Sequence, residues 1–280
     1  MRLKLTHAPC NPPGCNLIPA SGTLDPRIDE STGPRNSYFL RGGLPVNLLS
    51  RLASLPSLSA VLLATLLVAF TASAQQEFPP PGGGKARVVV VASGMSGPEH
   101  YQTVAKEFTK LGYDVVLFDG NPMEGTNGVG VKDAITQALA MPHALPGKVA
   151  LVGFSLGGGM VLFYGTQYSD QVAGVVAWYP ANAFIKNIPG FVAHTRVPVL
   201  VFAGEKDHFR DSCCTADKSR ALGDAAKAGG LDFQVFTYPG ADHDFVKDGA
   251  HYKADAYDDA LAKTNAALKK YLGDPTVPGQ

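Results

Sequence analysis

KVALVGFSLGGGMVLFYG, residues 148–165, is the stretch that decides the fold class of this chain. Lys148–Gly153 is a short apolar run suited to a buried strand. Leu156–Tyr168, which follows at once, reads as a helix. Between them, Gly153-Phe154-Ser155-Leu156-Gly157 fits G-x-S-x-G. The residue at the apex of such a strand-to-helix turn is backbone-strained, so small flanking residues are needed to avoid Cβ clashes. Gly158 and Gly159 extend the small surface and let the helix pack close to its neighbours. Ser155 would then project above the sheet at a helix N-terminus, where backbone N–H groups favour developing negative charge. It is the candidate nucleophile. A tight turn carrying an inert serine is the alternative.

Working outward, strand and helix signals alternate. Strands are expected at Ala86–Val91, Asp114–Phe118, Lys148–Gly153, Val172–Trp178, Val197–Ala203 and Phe233–Tyr238. Helices are expected at Glu99–Leu111, Val131–Ala140, Leu156–Tyr168, Thr215–Ala228 and Tyr252–Leu272. Alternation of this kind implies an α/β fold with a mostly parallel sheet of about six strands and helices on both faces. Function in such sheets gathers at the carboxyl ends of the strands.

Two of those ends supply partners for Ser155. The strand Val197–Ala203 runs into Gly204-Glu205-Lys206-Asp207, and Phe233–Tyr238 into Pro239-Gly240-Ala241-Asp242-His243. The order Ser, acid, His is the one this architecture uses. Asp207 is therefore the candidate orienting acid, ahead of Glu205 and Asp211, and His243 the candidate base. Asp242 and Asp244 flank His243 but are expected to point away from its partner. Leu156 N–H is the first candidate oxyanion donor. The second is expected from the loop Ala92–Gly97, at Gly94 or its neighbour Ser93. Met95, His100, Phe154, Trp178, Tyr179 and Phe209 fall near strand ends and are substrate-pocket candidates; Phe154 and Trp178 read equally well as core.

The 280 residues are 45% hydrophobic and 17% charged, with a formal net charge of +0. That balance suits a globular core and points to no nucleic-acid partner. Residues 1–45 are rich in Pro, Gly, Asn, Ser and Thr and read as disordered. Arg51, the apolar run Ala60–Phe70 and the small residues of Thr71-Ala72-Ser73-Ala74 make a signal-peptide pattern with cleavage after Ala74, hence a periplasmic or secreted product. An uncleaved anchor is the alternative, although the run is short for a membrane span. One reading of the long segment before it is that translation begins near Val46 or Leu44. Residues 75–85 read as a linker and 86–280 as the folded domain. Past Ala74 the chain keeps 18 basic and 21 acidic residues. Cys213 and Cys214 are read as reduced, partly buried thiols, with a vicinal disulfide as the alternative that export permits. No cysteine spacing resembles a zinc site, and no metal or organic cofactor is implied.

GFSLGGG, AGEKD and YPGADHDF, in that order, resemble the dienelactone hydrolase family of α/β hydrolases, over about Ala86 to Leu272. The resemblance implies a small single-domain hydrolase without a large cap. It implies a triad of Ser155, Asp207 and His243 and a small-molecule ester or lactone as substrate. The best-known members use a cysteine nucleophile, where this chain has Ser155. They also place a glutamate by the oxyanion loop, where this chain has Ala92 or Ser93, and their carboxylate-holding arginines have no match. A serine–histidine pair is a general esterase arrangement. A peptidase or polyester hydrolase, and a binding protein with a vestigial pocket, are the other readings.

Overall fold

A computed structural model of the chain describes residues 75–276. The expected leader, signal peptide and cleavage site lie outside the described residues. Seven strands form one sheet in the order β1-β3-β2-β4-β5-β6-β7. They are β1 (Gln76–Phe78), β2 (Val88–Ala92), β3 (Asp114–Phe118), β4 (Val149–Phe154), β5 (Val172–Trp178), β6 (Val199–Gly204) and β7 (Phe233–Tyr238). All neighbours are parallel except β1, which runs antiparallel to β3. The architecture is the α/β one expected, with one strand more. Gln76–Phe78, read as linker, is that extra edge strand: Phe78 is buried beside Val115, and three residues without alternation give no periodic signal.

Among the described residues six α-helices accompany the strands, five between strands and the last after β7: α1 (Gln102–Thr109), α2 (Val129–Leu139), α3 (Ser155–Phe163), α4 (Ile188–His194), α5 (Ala216–Ala228) and α6 (Ala254–Leu272). Strand side chains alternate between two apolar layers. Val88, Val90, Leu151, Val175 and Val201 face α2, α3, α4 and α5. Val89, Val91, Val152, Val176 and Phe202 face α1 and α6. Every residue of β2, β3, β4 and β6 is buried, as a sheet covered on both faces requires. After the edge strand β1 the chain enters the middle of the sheet at β2, moves outward to β3, then crosses to β4. The carboxyl ends of β2 and β4, paired at Ala92 and Gly153, therefore form the crevice where the winding reverses.

At the opposite end of the sheet, Asp114 opens β3 fully buried, and neither carboxylate oxygen has a hydrogen-bond partner among the described residues. Burial, reinforced by the charge of Glu77 and opposed by His143, pushes this carboxyl up to about 7. The folded chain therefore keeps a proton that the unfolded chain releases near pH 4. Stability should fall as pH climbs from about 4 to about 7 and level off above that. Asp114→Asn should raise Tm relative to the wild type at pH 8, with the gain vanishing toward pH 4. Thermal melts across that range check this, and a gain independent of pH would contradict it.

Candidate active site

The backbone of β4 turns sharply into α3 at Ser155, which holds φ 48°, a left-handed value a serine rarely takes. The turn is possible because its flanks are bare. A Cβ on Gly153 would stand 2.5 Å from Gly157 O and 2.6 Å from a Val161 methyl. A Cβ on Gly157 would drive into Ser93 O and come within 2.5 Å of Ala92 O. Instead the Gly157 N–H donates to Ser93 O at 3.1 Å, docking α3 on the loop after β2.

Three loops from the same sheet edge meet above this turn. Asp207 follows β6 and His243 follows β7; both are buried, as is Ser155. His243 Nδ1 lies 2.8 Å from Asp207 Oδ2, and its Nε2 lies 2.9 Å from Ser155 Oγ. A carboxylate only accepts, so Nδ1 carries the proton and Nε2 accepts from the serine hydroxyl. The Phe209 N–H donates to the other Asp207 oxygen at 3.1 Å, which fixes the carboxylate. Phe209 stacks on the imidazole at 4.5 Å, and the Tyr179 ring meets it edge-on at 5.0 Å. Ser155, His243 and Asp207 thus form a continuous hydrogen-bonded line able to move a proton off a serine hydroxyl.

The line opens into a cavity of about 210 Å³. Met95, Ser96, Tyr101, Phe209, Asp244, Ala250 and His251 line it with Ser155 and His243. Leu156 N–H, in the first turn of α3, donates to no group among the described residues. On the facing loop, Ser93 N–H is taken by Phe118 O, so Ser93 cannot serve as the second oxyanion donor. Gly94 lies against the nucleophile, its Cβ position 3.0 Å from Ser155 Cβ. The next residue, Met95, lines the cavity, and its N–H has no partner among the described residues. A larger cavity of about 380 Å³, between Phe163, Phe184 and Phe191, includes no residue of the line.

Four pocket expectations are corrected, at Phe154, Trp178, Tyr179 and His100, none of which lines the cavity. Phe154 and Trp178 are fully buried core. Both strand ends turn these rings toward the α1–α6 layer, where Phe154 stacks on Tyr101 and meets Trp178 at a tilt. Tyr179 is likewise fully buried, although its hydroxyl reaches Asp244. His100 does not line the cavity but bonds Asp244, which does. The cysteines, read first as thiols, are joined as a Cys213–Cys214 disulfide. Cys214 is buried beside Asp207 and His243. The residues missed at this cavity are Ser96, within the oxyanion loop, Tyr101, which follows it, and Asp244, Ala250 and His251, in and beyond the His243 turn.

Residues 122–272 match the model of the dienelactone hydrolase family. The chain belongs to the dienelactone hydrolase family. The matched segment contains all three members of the hydrogen-bonded line. Over 135 residues the chain is 26% identical to protein usf of Aquifex pyrophilus, an alignment covering 46% of this chain and 54% of that protein. The chain thus spans about half the length of this curated relative. Among solved structures it is similar to a dienelactone hydrolase-like promiscuous phosphotriesterase, P91, from metagenomic libraries. That match has a TM-score of 0.60 and 20% identity, over 71% of this chain and 92% of that one. The esterase domain of a Rhodothermus marinus protein matches with a TM-score of 0.55 and 18% identity, over 71% and 93%. These likenesses establish a shared fold with the dienelactone hydrolase-like esterases.

The docking of α3 on the β2 loop gives a direct test. Gly157→Ala should lower Tm and turnover together, because the new methyl forces Ser93 away and tilts the Ser155 turn; overpacking of this kind costs about 1–3 kcal/mol. Gly84→Ala, in open space, should leave both unchanged. Melting curves and ester assays on both variants check it.

Proposed function

We propose that this protein is an exported serine hydrolase that cleaves carboxylic esters or lactones through an acyl-enzyme on Ser155. The observation that carries the reading is the buried, unbroken line from Ser155 Oγ through His243 to Asp207, opening on a cavity sized for a small substrate. Membership of the dienelactone hydrolase family supports it. Export rests on the sequence pattern of residues 51–74 alone. Among the described residues, no helix is long and apolar enough to cross a membrane.

The chemistry follows from the bonding. Ser155 Oγ attacks the carbonyl carbon as its proton passes to His243 Nε2. Asp207 holds the imidazole in the tautomer that can accept, and it stabilises the imidazolium that results. The carbonyl oxygen, now negative, lies by the Leu156 N–H and the Gly94–Met95 segment, with the first turn of α3 adding its positive end. His243 returns the proton to the departing alkoxide, and the alcohol leaves. Water deprotonated by His243 then attacks the acyl-serine and restores Ser155.

A fluorophosphonate probe should label the wild type at Ser155 and fail to label Ser155→Ala. The same substitution should lower kcat for p-nitrophenyl butyrate by a factor on the order of 10⁶. Asp207→Asn, which leaves the imidazole free to take the wrong tautomer, should lower it by about 10⁴. A folded wild type that neither labels nor turns over would overturn the reading. Mass spectrometry of the exported chain should find Gln75 at its N-terminus.

A further inference from the structure

The most heavily bonded side chain at the cavity, the triad apart, is Asp244. It follows His243 with a left-handed φ of 61°. His100 Nε2 lies 3.0 Å from both of its carboxylate oxygens and must be the donor, since a carboxylate only accepts. The Tyr179 hydroxyl donates to Oδ1 at 3.2 Å, and the Ala250 N–H donates to Oδ2 at 3.0 Å. Three segments of the chain therefore converge on this carboxylate of the His243 loop: the turn before α1, the end of β5 and the segment before α6. The backbone closes around it, because a Cβ on Gly249 would run into the Asp244 carbonyl oxygen.

Such a carboxylate is oriented but not neutralised by fixed cations. No lysine or arginine lines the cavity among the described residues. Tyr101 and Tyr179 stay neutral phenols, pushed up first by burial, with the Asp244 charge adding to it. His243 and His251 are the imidazoles that line the cavity, His100 is bonded to Asp244 from outside it, and the Arg210 guanidinium lies 5.5 Å from the Phe209 ring. The Asp244 side chain is 15% exposed and stands at the cavity wall, with His100 bonded to it from outside the cavity.

The geometry points to Asp244 as the charge-selecting residue of this cavity, which admits neutral or cationic ester substrates and rejects those that carry a carboxylate. This rests on the ester-hydrolase reading and adds a substrate class to it. A second negative charge in a cleft with few counter-charges feels Asp244 through a medium that screens poorly. The penalty grows once the substrate's own water is stripped on entry.

The test compares three p-nitrophenyl esters of similar size at pH 8, where histidine side chains are ordinarily uncharged. They are the butyrate, the hemisuccinate and the 4-(trimethylammonio)butanoate. In the wild type, kcat/KM for the butyrate should exceed that for the hemisuccinate by tenfold or more, on the order expected for one unscreened like charge. The cationic ester should do at least as well as the butyrate. Asp244→Asn should shrink the butyrate-to-hemisuccinate ratio by about tenfold, whatever it does to either rate alone. Asp242→Asn, a neighbouring charge outside the cavity, should leave the ratio within about twofold.

A wild type that hydrolyses both esters equally would overturn the assignment while leaving the ester-hydrolase reading intact, and would do so even if Asp244→Asn failed to fold. So would an Asp244→Asn or Asp244→Ser variant that keeps the wild-type ratio. If no ester is turned over and the fluorophosphonate does not label, both readings fall together.

Discussion

α3 can approach the loop after β2 only because residue 157 has no side chain. With Ser93 O accepting from the Gly157 N–H, and no atom between the two backbones, the helix is docked at its first turn. Much else hangs on that contact. It sets where the β4–α3 turn ends, and so where Ser155 Oγ stands. It brings the Gly94–Met95 segment opposite Leu156, so that two stretches of backbone face one point. It also spends the Ser93 N–H and Oγ on the neighbouring strand end, through Phe118 O and the Gly120 N–H, which makes the β2 loop a rigid wall. A cavity of about 210 Å³ leaves little room for any of these to be misplaced.

Strain gathers on the same edge. Ser155, Tyr179 and Asp244 all hold positive φ without being glycine. Each is tied down by bonds that begin elsewhere in the chain. Ser155 O accepts from the Ala181 N–H, Tyr179 N–H donates to Phe202 O, and the Asp244 carboxylate is gripped from three sides. Residues in such conformations persist only where their surroundings over-determine them, and they cluster where a site must be held in one geometry. The surrounding sheet, buried on both faces, supplies that rigidity.

Much of this was legible in the residues themselves. β-branched runs such as VVVVA and DVVLF pack on both faces, so they appear as unbroken apolar stretches; the glycines around Ser155 mark a turn that tolerates no Cβ. Asp207 and His243 could be read because strand ends are informative positions in a parallel sheet. What escaped did so for physical reasons. Gln76–Phe78 is an edge strand whose stability comes from pairing with β3 and not from its own three residues. Ile188–His194 contains Pro189 and Gly190, which weaken any helical signal, and it forms because the Asn187 side chain caps it and Phe191 buries. Phe154 and Trp178 sit at strand ends, but which face each ring takes follows from register and twist. Tyr101 and Asp244 enter the site through side chains that leave no periodic trace.

The hydrogen-bonded line also has a history within the folding chain. Ser155 and His243 are 88 residues apart, and Asp207 and His243 are 36 apart. β5, β6 and β7 all lie beyond β4 in the sheet, and the line closes only when they are in place. Long-range pairings of this kind pay their loop-closure cost before any contact repays it, and parallel sheets are slow for that reason. No fragment ending before β7 carries even two bonded members of the line. Reactivity at Ser155 therefore arrives in one step, with the final strand, and a chain that stops short of it holds an ordinary serine in an ordinary turn.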